Sequence, residues 1–161
     1  MTIKEYNIAV EKHSDGVFRF ILKNIRDEEK AKDIVQESFA KLWLNTEAVN
    51  FAKVKSYLYS TAYHTMIDVI RKEKRIVDFE NVPVSAYSHN EHYSDLKEIL
   101  DEAVKKLSDV QRSVVLLRDY EGYSYKEIAD ITELSESQVK VYIYRARLFL
   151  KNYIGSTEAV V

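Results

Sequence analysis

Residues 123–150 read YSYKEIADITELSESQVKVYIYRARLFL, and this stretch decides the fold. A short amphipathic segment is followed by a three-residue turn and a longer amphipathic segment. The inner side of the first segment and of the turn is apolar, at Ile128, Ala129, Ile131 and Leu134. The inner side of the second follows helical spacing, at Val139, Ile143, Ala146 and Leu150. This pattern is typical of a helix-turn-helix.

The outer face of the second helix predicts a DNA-binding surface. At 100° per residue one face collects Ser137, Lys140, Val141, Tyr144, Arg147 and Leu148, with Arg145 at its flank. We expect Ser137, Gln138 and Lys140 to reach base edges in a major groove and the later cations to bind phosphates. The alternative is the solvated face of an ordinary helical hairpin. The lack of any acid in 137–152 and the outward Val141 and Leu148 favour the DNA-binding interpretation.

Composition predicts an all-α protein. The chain of 161 residues has three Gly and one Pro, too few breakers for a turn-rich β fold. Around the helix-turn-helix we expect helices at 95–107, 109–120, 124–132 and 135–152. Three of their starts carry a capping-box pattern, Ser108 with Gln111, Ser124 with Glu127 and Ser135 with Gln138.

A second helical domain precedes this one. The periodicity predicts helices at 5–24, 28–45 and 54–75, although Ser-Asp-Gly at 14–16 interrupts the first. The apolar stripe of the second helix is Ala31, Ile34, Val35, Phe39, Leu42 and Trp43, and Asp27 is its expected N-cap. The third ends in the cationic run 71–75, which suits a helix C-terminus.

Charge is segregated along the chain. The formal net charge is −2, which by itself argues against a DNA-binding protein. However, residues 1–75 carry 14 Lys and Arg against 11 Asp and Glu, whereas residues 76–95 carry four acids and no Lys or Arg. The segment 76–94 holds the only proline, Pro83, and is predicted to be an acidic linker.

No feature of the sequence supports an enzyme or a cofactor site. The absence of Cys excludes a disulfide framework and a thiolate zinc site, and three isolated glycines exclude a Gly-rich nucleotide loop. His89 and His92 with Glu91 are more often solvated in a linker than bound to metal, so we expect no metal. The N-terminus lacks a signal-peptide pattern, and no apolar run is long enough to span a membrane; we therefore expect a cytoplasmic protein.

Two blocks of the chain resemble the extracytoplasmic-function (ECF) group of RNA polymerase sigma factors. The segments FRFILKNIRDEEKAKDIVQESFAKLW (18–43) and VKSYLYSTAYHTMIDVIRKEKR (54–75) resemble their region 2. The stretch from AVKKLSDVQRSVVLLRDYEGYSYKEIADI to LSESQVKVYIYRARLFLKNYI, within 101–154, resembles their region 4. The resemblance implies region 2 at 1–75, a linker at 76–94, region 4 at 95–155 and a tail at 156–161.

The resemblance also assigns roles to residues of this chain. It implies that Asp33, Gln36 and Glu37 bind core RNA polymerase. It implies minus-10 DNA contacts from Asn45, Asn50, Lys53, Lys55, Tyr57, Tyr59, Tyr63, His64, Arg71, Lys72 and Arg75. Tyrosine also packs in cores, and we expect at least one of these three tyrosines to face inward with Leu58 and Ala62. The resemblance implies minus-35 contacts from Ser124, Tyr125, Lys126, Ser137, Gln138, Lys140, Val141, Tyr144, Arg145 and Arg147. The expected partners are core polymerase, promoter DNA and an anti-sigma factor.

Two other classes of function stay open at this stage. A stand-alone helix-turn-helix regulator would bind duplex DNA without polymerase, and a helical adaptor would have no role on DNA. Under the sigma-factor hypothesis, the basic helices beside an acidic linker further suggest that the two domains close on each other, or on an inhibitor, when polymerase is absent.

Overall fold

The computed structural model describes residues 1–80 and 96–156, and for residues 77–80 it describes the backbone only. Within these ranges the fold is helical throughout and contains no strand, as predicted. The helices are α1 Ile3–Ile25, α2 Glu28–Leu44, α3 Val54–Glu80, α4 Leu96–Lys105, α5 Asp109–Val115, α6 Tyr125–Thr132 and α7 Glu136–Ser156. A 3₁₀ turn, Phe51–Lys53, precedes α3, and a π turn, Leu116–Tyr120, follows α5. We call residues 1–80 the N-terminal half and 96–156 the C-terminal half.

Helix α1 runs unbroken through Gly16. It begins with a capping box between Thr2 and Glu5 and ends at Arg26, whose φ of 57° is left-handed. Gly16 is needed inside this helix because the hydroxyl of Tyr59 occupies the space that a Cβ would fill. The glycine that weakened the helix prediction therefore marks a close approach between α1 and α3.

The N-terminal half packs α1, α2 and α3 around one core. Asp27 caps α2 by accepting the N–H of Lys30, as predicted. The expected stripe of α2 is buried at Ala31, Ile34, Phe39 and Leu42. Trp43, however, is 50% exposed, so its assignment to the core was wrong. It lies at the edge of the stripe, where its ring meets Tyr6 edge-on with centroids 5.0 Å apart.

Helix α3 extends five residues past its expected end at 75, to Glu80. The first residues of the predicted linker, 76–80, are therefore helical, because no Gly or Pro interrupts the chain before Pro83. The rest of that segment, including His89 and His92, lies outside the described residues, as does the tail from 157.

The C-terminal half packs α4 to α7 around the predicted apolar faces. Ile128, Ile131, Val139, Ile143 and Ala146 are buried. A single buried cation, Arg112, ties the turn between α4 and α5 together by donating to the carbonyls of Val104 and Leu107 and to Asp109. Burial lowers the pKa of Arg112, and these acceptors compensate its charge.

The two halves contact each other directly. The buried ring of Tyr59 on α3 meets the buried ring of Tyr123 edge-on, with centroids 5.1 Å apart. At another contact the buried Asn24 of α1 accepts a hydrogen bond from Ser113 of α5, 3.1 Å away. One hydrophobic core consequently runs through both halves, which lie closed against each other.

Candidate nucleic-acid interface

Both helices of the helix-turn-helix begin with a reciprocal cap. Ser124 accepts the N–H of Glu127 while the carboxylate of Glu127 accepts the N–H of Ser124, each over 3.1 Å. Ser135 and Gln138 repeat this exchange at the start of α7, over 3.1 and 2.9 Å. These capping boxes confirm the predicted starts. The side-chain oxygen of Gln138 is thereby used to cap α7, which limits its role at a base edge.

The outer face of α7 is open, as the periodicity predicts. Ser137, Lys140, Val141, Tyr144, Arg145 and Arg147 are all exposed. Among them Val141 is 44% and Tyr144 67% exposed, so this face presents apolar and aromatic surface as well as cations to solvent. An exposed face that mixes cations with apolar and aromatic side chains suits the phosphates and thymine methyl groups of duplex DNA.

Arg147 and Lys140 of α7 contact residues of the π turn and of α6. Asp119 of the π turn accepts two hydrogen bonds from Arg147, at 2.5 and 3.1 Å, and these bonds raise the pKa of Arg147. The ring of Tyr125 lies 4.5 Å from the Arg118 guanidinium carbon and 5.6 Å from the Lys140 amine. Sequence reasoning missed Arg118 and Asp119, which lie outside the two helices and carry no periodic signal.

A cavity lies where the loop after α2 meets α3. Its volume is about 530 Å³, and it is lined by Asn45, Ala48, Val49, Asn50, Lys53 and Tyr57. Asn45 donates to the hydroxyl of Tyr57 across 3.3 Å, and Asn50 caps the 3₁₀ turn by accepting the N–H of Ala52. Four of the residues predicted to contact minus-10 DNA are thus brought together around one opening that is large enough to admit a nucleobase.

Two predicted minus-10 tyrosines lie in the core instead. Tyr59 and Tyr63 are 3% and 5% exposed, and burial raises the pKa of both phenols. Tyr59 packs between Phe20 of α1 and Tyr123 of the C-terminal half, and Tyr63 is buried beside it on α3, so neither ring offers a free face to a base in this arrangement. The sequence identified Leu58 and Ala62 as inner positions of α3. It could not show that the C-terminal half packs against this helix as well.

The other residues of α3 that were predicted to contact minus-10 DNA divide into two groups. Arg71, Lys72 and Arg75 are exposed at its C-terminal part. Lys55 and His64 are half-buried and face carboxylates of the other half: Lys55 is 3.4 Å from Glu127, and Nε2 of His64 is 3.4 Å from Glu133. The residues predicted to bind core polymerase, Asp33, Gln36 and Glu37, share one exposed face of α2, where Glu37 pairs with Lys41 over 3.2 Å.

Each half of the chain matches a known protein family. Residues 9–76 match the family described as Sigma-70 region 2, and residues 97–150 match the one described as Sigma-70, region 4. The chain is 30% identical over 156 residues to the ECF RNA polymerase sigma factor SigM of Bacillus subtilis, covering 94% of each chain. It is 32% identical over 141 residues to the RNA polymerase sigma factor SigV of the same organism, covering 86% of this chain and 84% of SigV.

The chain belongs to the ECF sigma factors. Because the match includes region 2 as well as region 4, this sigma factor is not a stand-alone helix-turn-helix regulator. Its fold also matches, with a TM-score of 0.80 at 23% identity, the sigma factor RpoE of Bartonella quintana, whose structure was solved in complex with the anti-sigma factor NepR. That likeness covers 97% of this chain and 100% of the RpoE chain.

We also searched the described residues for membrane-spanning helices and for metal-binding clusters. Over residues 1–80 and 96–156 no helix is both long and apolar enough to cross a membrane. In the same ranges no three His, Asp or Glu side chains lie close enough together to hold a metal ion.

Proposed function

We propose that this protein directs core RNA polymerase to a set of promoters and starts transcription there. The observation that carries the proposal is the pairing, in one chain, of a helix-turn-helix with an open recognition face and a second helical unit with a cavity large enough to admit a nucleobase. Two DNA-reading elements in one subunit suit the two spaced elements of a promoter. Since the protein acts with polymerase, its place of action is the cytoplasm.

The recognition helix α7 reads the minus-35 element. Ser137, Lys140 and Val141 near its N-terminus face base edges, while Arg145 lies further along toward phosphate. Ser124, Tyr125 and Lys126 lie at the start of α6, where the first amide groups and the exposed Lys126 suit a phosphate of the same duplex. Asp119 neutralises Arg147 while the two are bonded, so Arg147 reaches a phosphate by exchanging this partner.

The cavity beside α3, rather than the buried Tyr59 and Tyr63, takes a base that leaves the stack when the minus-10 element melts. Asn45 and Asn50 supply amide groups at its rim, Tyr57 supplies a half-buried ring, and Lys53 supplies a cation. Extruding a base costs a few kcal/mol, which stacking and base-edge hydrogen bonds offset. Arg71, Lys72 and Arg75 extend the cationic track along α3 for the phosphates of the same strand.

The polar face of α2 docks on core polymerase. Asp33, Gln36 and Glu37 lie at i, i+3 and i+4, so that they form one patch on a helix that is anchored by its buried face. A carboxylate and amide patch suits a basic partner surface. An anti-sigma factor is a further partner, by analogy with the RpoE protein whose structure contains one.

The test is transcription in vitro from a genomic DNA library with cognate bacterial core polymerase, with and without this protein. We expect start sites that depend on the protein and share two motifs at a constant spacing. The variant Asp33→Lys should lose these transcripts because it repels the polymerase surface, whereas Asp15→Lys, on the exposed side of α1, should keep them. Absence of protein-dependent starts with folded protein would refute the proposal.

A further inference from the structure

A second cavity, of about 360 Å³, lies where the C-terminal end of α1 meets α4. Its walls come from both halves of the chain. Leu22, Lys23 and Arg26 belong to α1 and its C-cap, and Lys97 and Asp101 belong to α4. The cavity shares no residue with the recognition face of α7 or with the cavity beside α3. Promoter recognition therefore gives it no role.

The lining of this cavity carries an excess of positive charge. Its three cations and its one carboxylate, that of Asp101, give a formal charge of +2. Arg26 donates to the main-chain carbonyl of Asp101 over 2.8 Å, and among the described residues neither Lys23 nor Arg26 pairs with a carboxylate. At other contacts between the halves, cations such as Arg19 and Lys55 face carboxylates. The cavity is therefore suited to an anion from outside the chain.

The helix dipoles account for only part of this arrangement. Lys23 lies in the last turn of α1, where the dipole favours a cation. Lys97 lies in the first described turn of α4, where the dipole disfavours a cation and favours an anion. A bound anion would offset both the charge of Lys97 and the positive end of α4.

An aromatic side chain of the π turn borders the cavity. The amine of Lys23 lies 4.0 Å from the centroid of the Tyr120 ring, and Tyr120 is 38% exposed. Burial raises the pKa of Tyr120, and the charges of Asp101 and Arg26 also act on it, which places the phenol close to the lining. Because the phenol stays protonated at neutral pH, it can donate a hydrogen bond to an anion.

We propose that this cavity binds the diphosphate group of a small molecule, such as a nucleoside diphosphate. A terminal phosphate alone carries a charge of about −2, so two linked phosphates concentrate negative charge in a small volume. A nucleic-acid strand instead spreads one charge per phosphate along its length and suits a row of cations. Three cations around one small cavity match the concentrated charge. Because the lining comes from both halves, the ligand also stabilises the contact between α1 and α4.

Titration calorimetry of the full chain with inorganic pyrophosphate, in buffer without divalent cations, tests the proposal. We expect saturable binding to one site. The variant Lys23→Gln, Lys97→Gln removes two charges from the lining and should weaken this binding about tenfold. The matched control is Lys12→Gln, Lys105→Gln, which removes the same charge from exposed positions of the same two helices and should bind like the wild type.

A second variant is expected to act in the opposite direction. Asp101→Asn removes the one carboxylate of the lining and should tighten pyrophosphate binding about threefold, a gain that damage to the fold cannot produce.

Competition distinguishes a small molecule from a nucleic-acid strand as the source of the phosphates. ADP should displace pyrophosphate, whereas a single-stranded oligonucleotide of mixed sequence at the same phosphate concentration should not. The proposal is overturned if pyrophosphate does not bind at millimolar concentration, or if the two double variants bind it equally. Displacement by the oligonucleotide as effective as that by ADP would also overturn it, because the cations would then serve a nucleic-acid backbone.

Discussion

At the scale of single residues, Gly16 shows how packing can override helix propensity. Replacing an interior helical glycine with alanine ordinarily stabilises a helix by up to about 1 kcal/mol. At Gly16 the new methyl group would overlap the Tyr59 hydroxyl, so we expect Gly16→Ala to lower the free energy of unfolding by about 1–3 kcal/mol. Gly155, which has open space around its Cβ position, is the matched control and should be neutral or slightly stabilising when changed to Ala.

The variant Tyr59→Phe tests whether Gly16→Ala acts through a clash with the Tyr59 hydroxyl or through a general loss of helix stability. Removing the hydroxyl frees the space beside Gly16, so Gly16→Ala should cost less in a Tyr59→Phe background than in the wild type. Urea unfolding of the four proteins gives the coupling between the two positions. Additive costs would mean that the methyl group and the hydroxyl do not meet.

Lys140 is the residue on which minus-35 recognition most depends in our proposal. It lies on the exposed N-terminal part of α7, near the ring of Tyr125. We expect Lys140→Ala to weaken holoenzyme binding to a promoter by about 1–3 kcal/mol if it contacts a base, and to relax preference at one base pair. Lys105→Ala, an exposed lysine at the end of α4, is the control. Equal promoter affinity for the two variants would remove Lys140 from the interface.

At the scale of elements, the sequence was most informative where local chemistry decides the structure. The capping boxes at Ser124 and Ser135 mark the starts of α6 and α7. Such a cap joins residues only three positions apart, so it can be recognised from a short stretch of sequence. The end of α3 depends on where the first helix-breaking residue lies. The acidic composition that begins at residue 76 led us to end the helix five residues too early. Trp43 was misassigned because an apolar side chain at the edge of a stripe can pack on either side.

The cap of α7 can be tested against a neighbouring serine. Ser135→Ala removes the acceptor for the Gln138 amide and should lower the free energy of unfolding by about 1 kcal/mol. Ser137, two residues further along, is exposed on the DNA-facing side. Ser137→Ala should leave stability within about 0.5 kcal/mol of the wild type and change only promoter binding. If both variants lost stability equally, the capping role would not belong to Ser135.

At the scale of the whole molecule, the sequence suggested that the two halves attract each other but did not show which residues make the contact. Segregated charge suggested closure, but the pairs that form it, such as Arg19 with Glu121, join residues 102 positions apart. No local pattern indicates which cation meets which carboxylate, or that Tyr59 meets Tyr123 of the other half. The relation between the halves is a property of tertiary packing, and for that reason it also changed the interpretation of the minus-10 residues.

The Arg19–Glu121 pair gives a direct test of closure that leaves the predicted DNA-binding residues untouched. The side chain of Glu121 is only 5% exposed, so reversing Arg19 to Glu places a second carboxylate against a buried one. Arg19→Glu should therefore separate the halves, which small-angle scattering would detect as a larger radius of gyration at low salt. The double variant Arg19→Glu, Glu121→Arg restores opposite charges across the same contact and should recover the compact form. A radius that is the same in wild type and Arg19→Glu, and insensitive to salt in both, would mean that this ion pair does not hold the halves together.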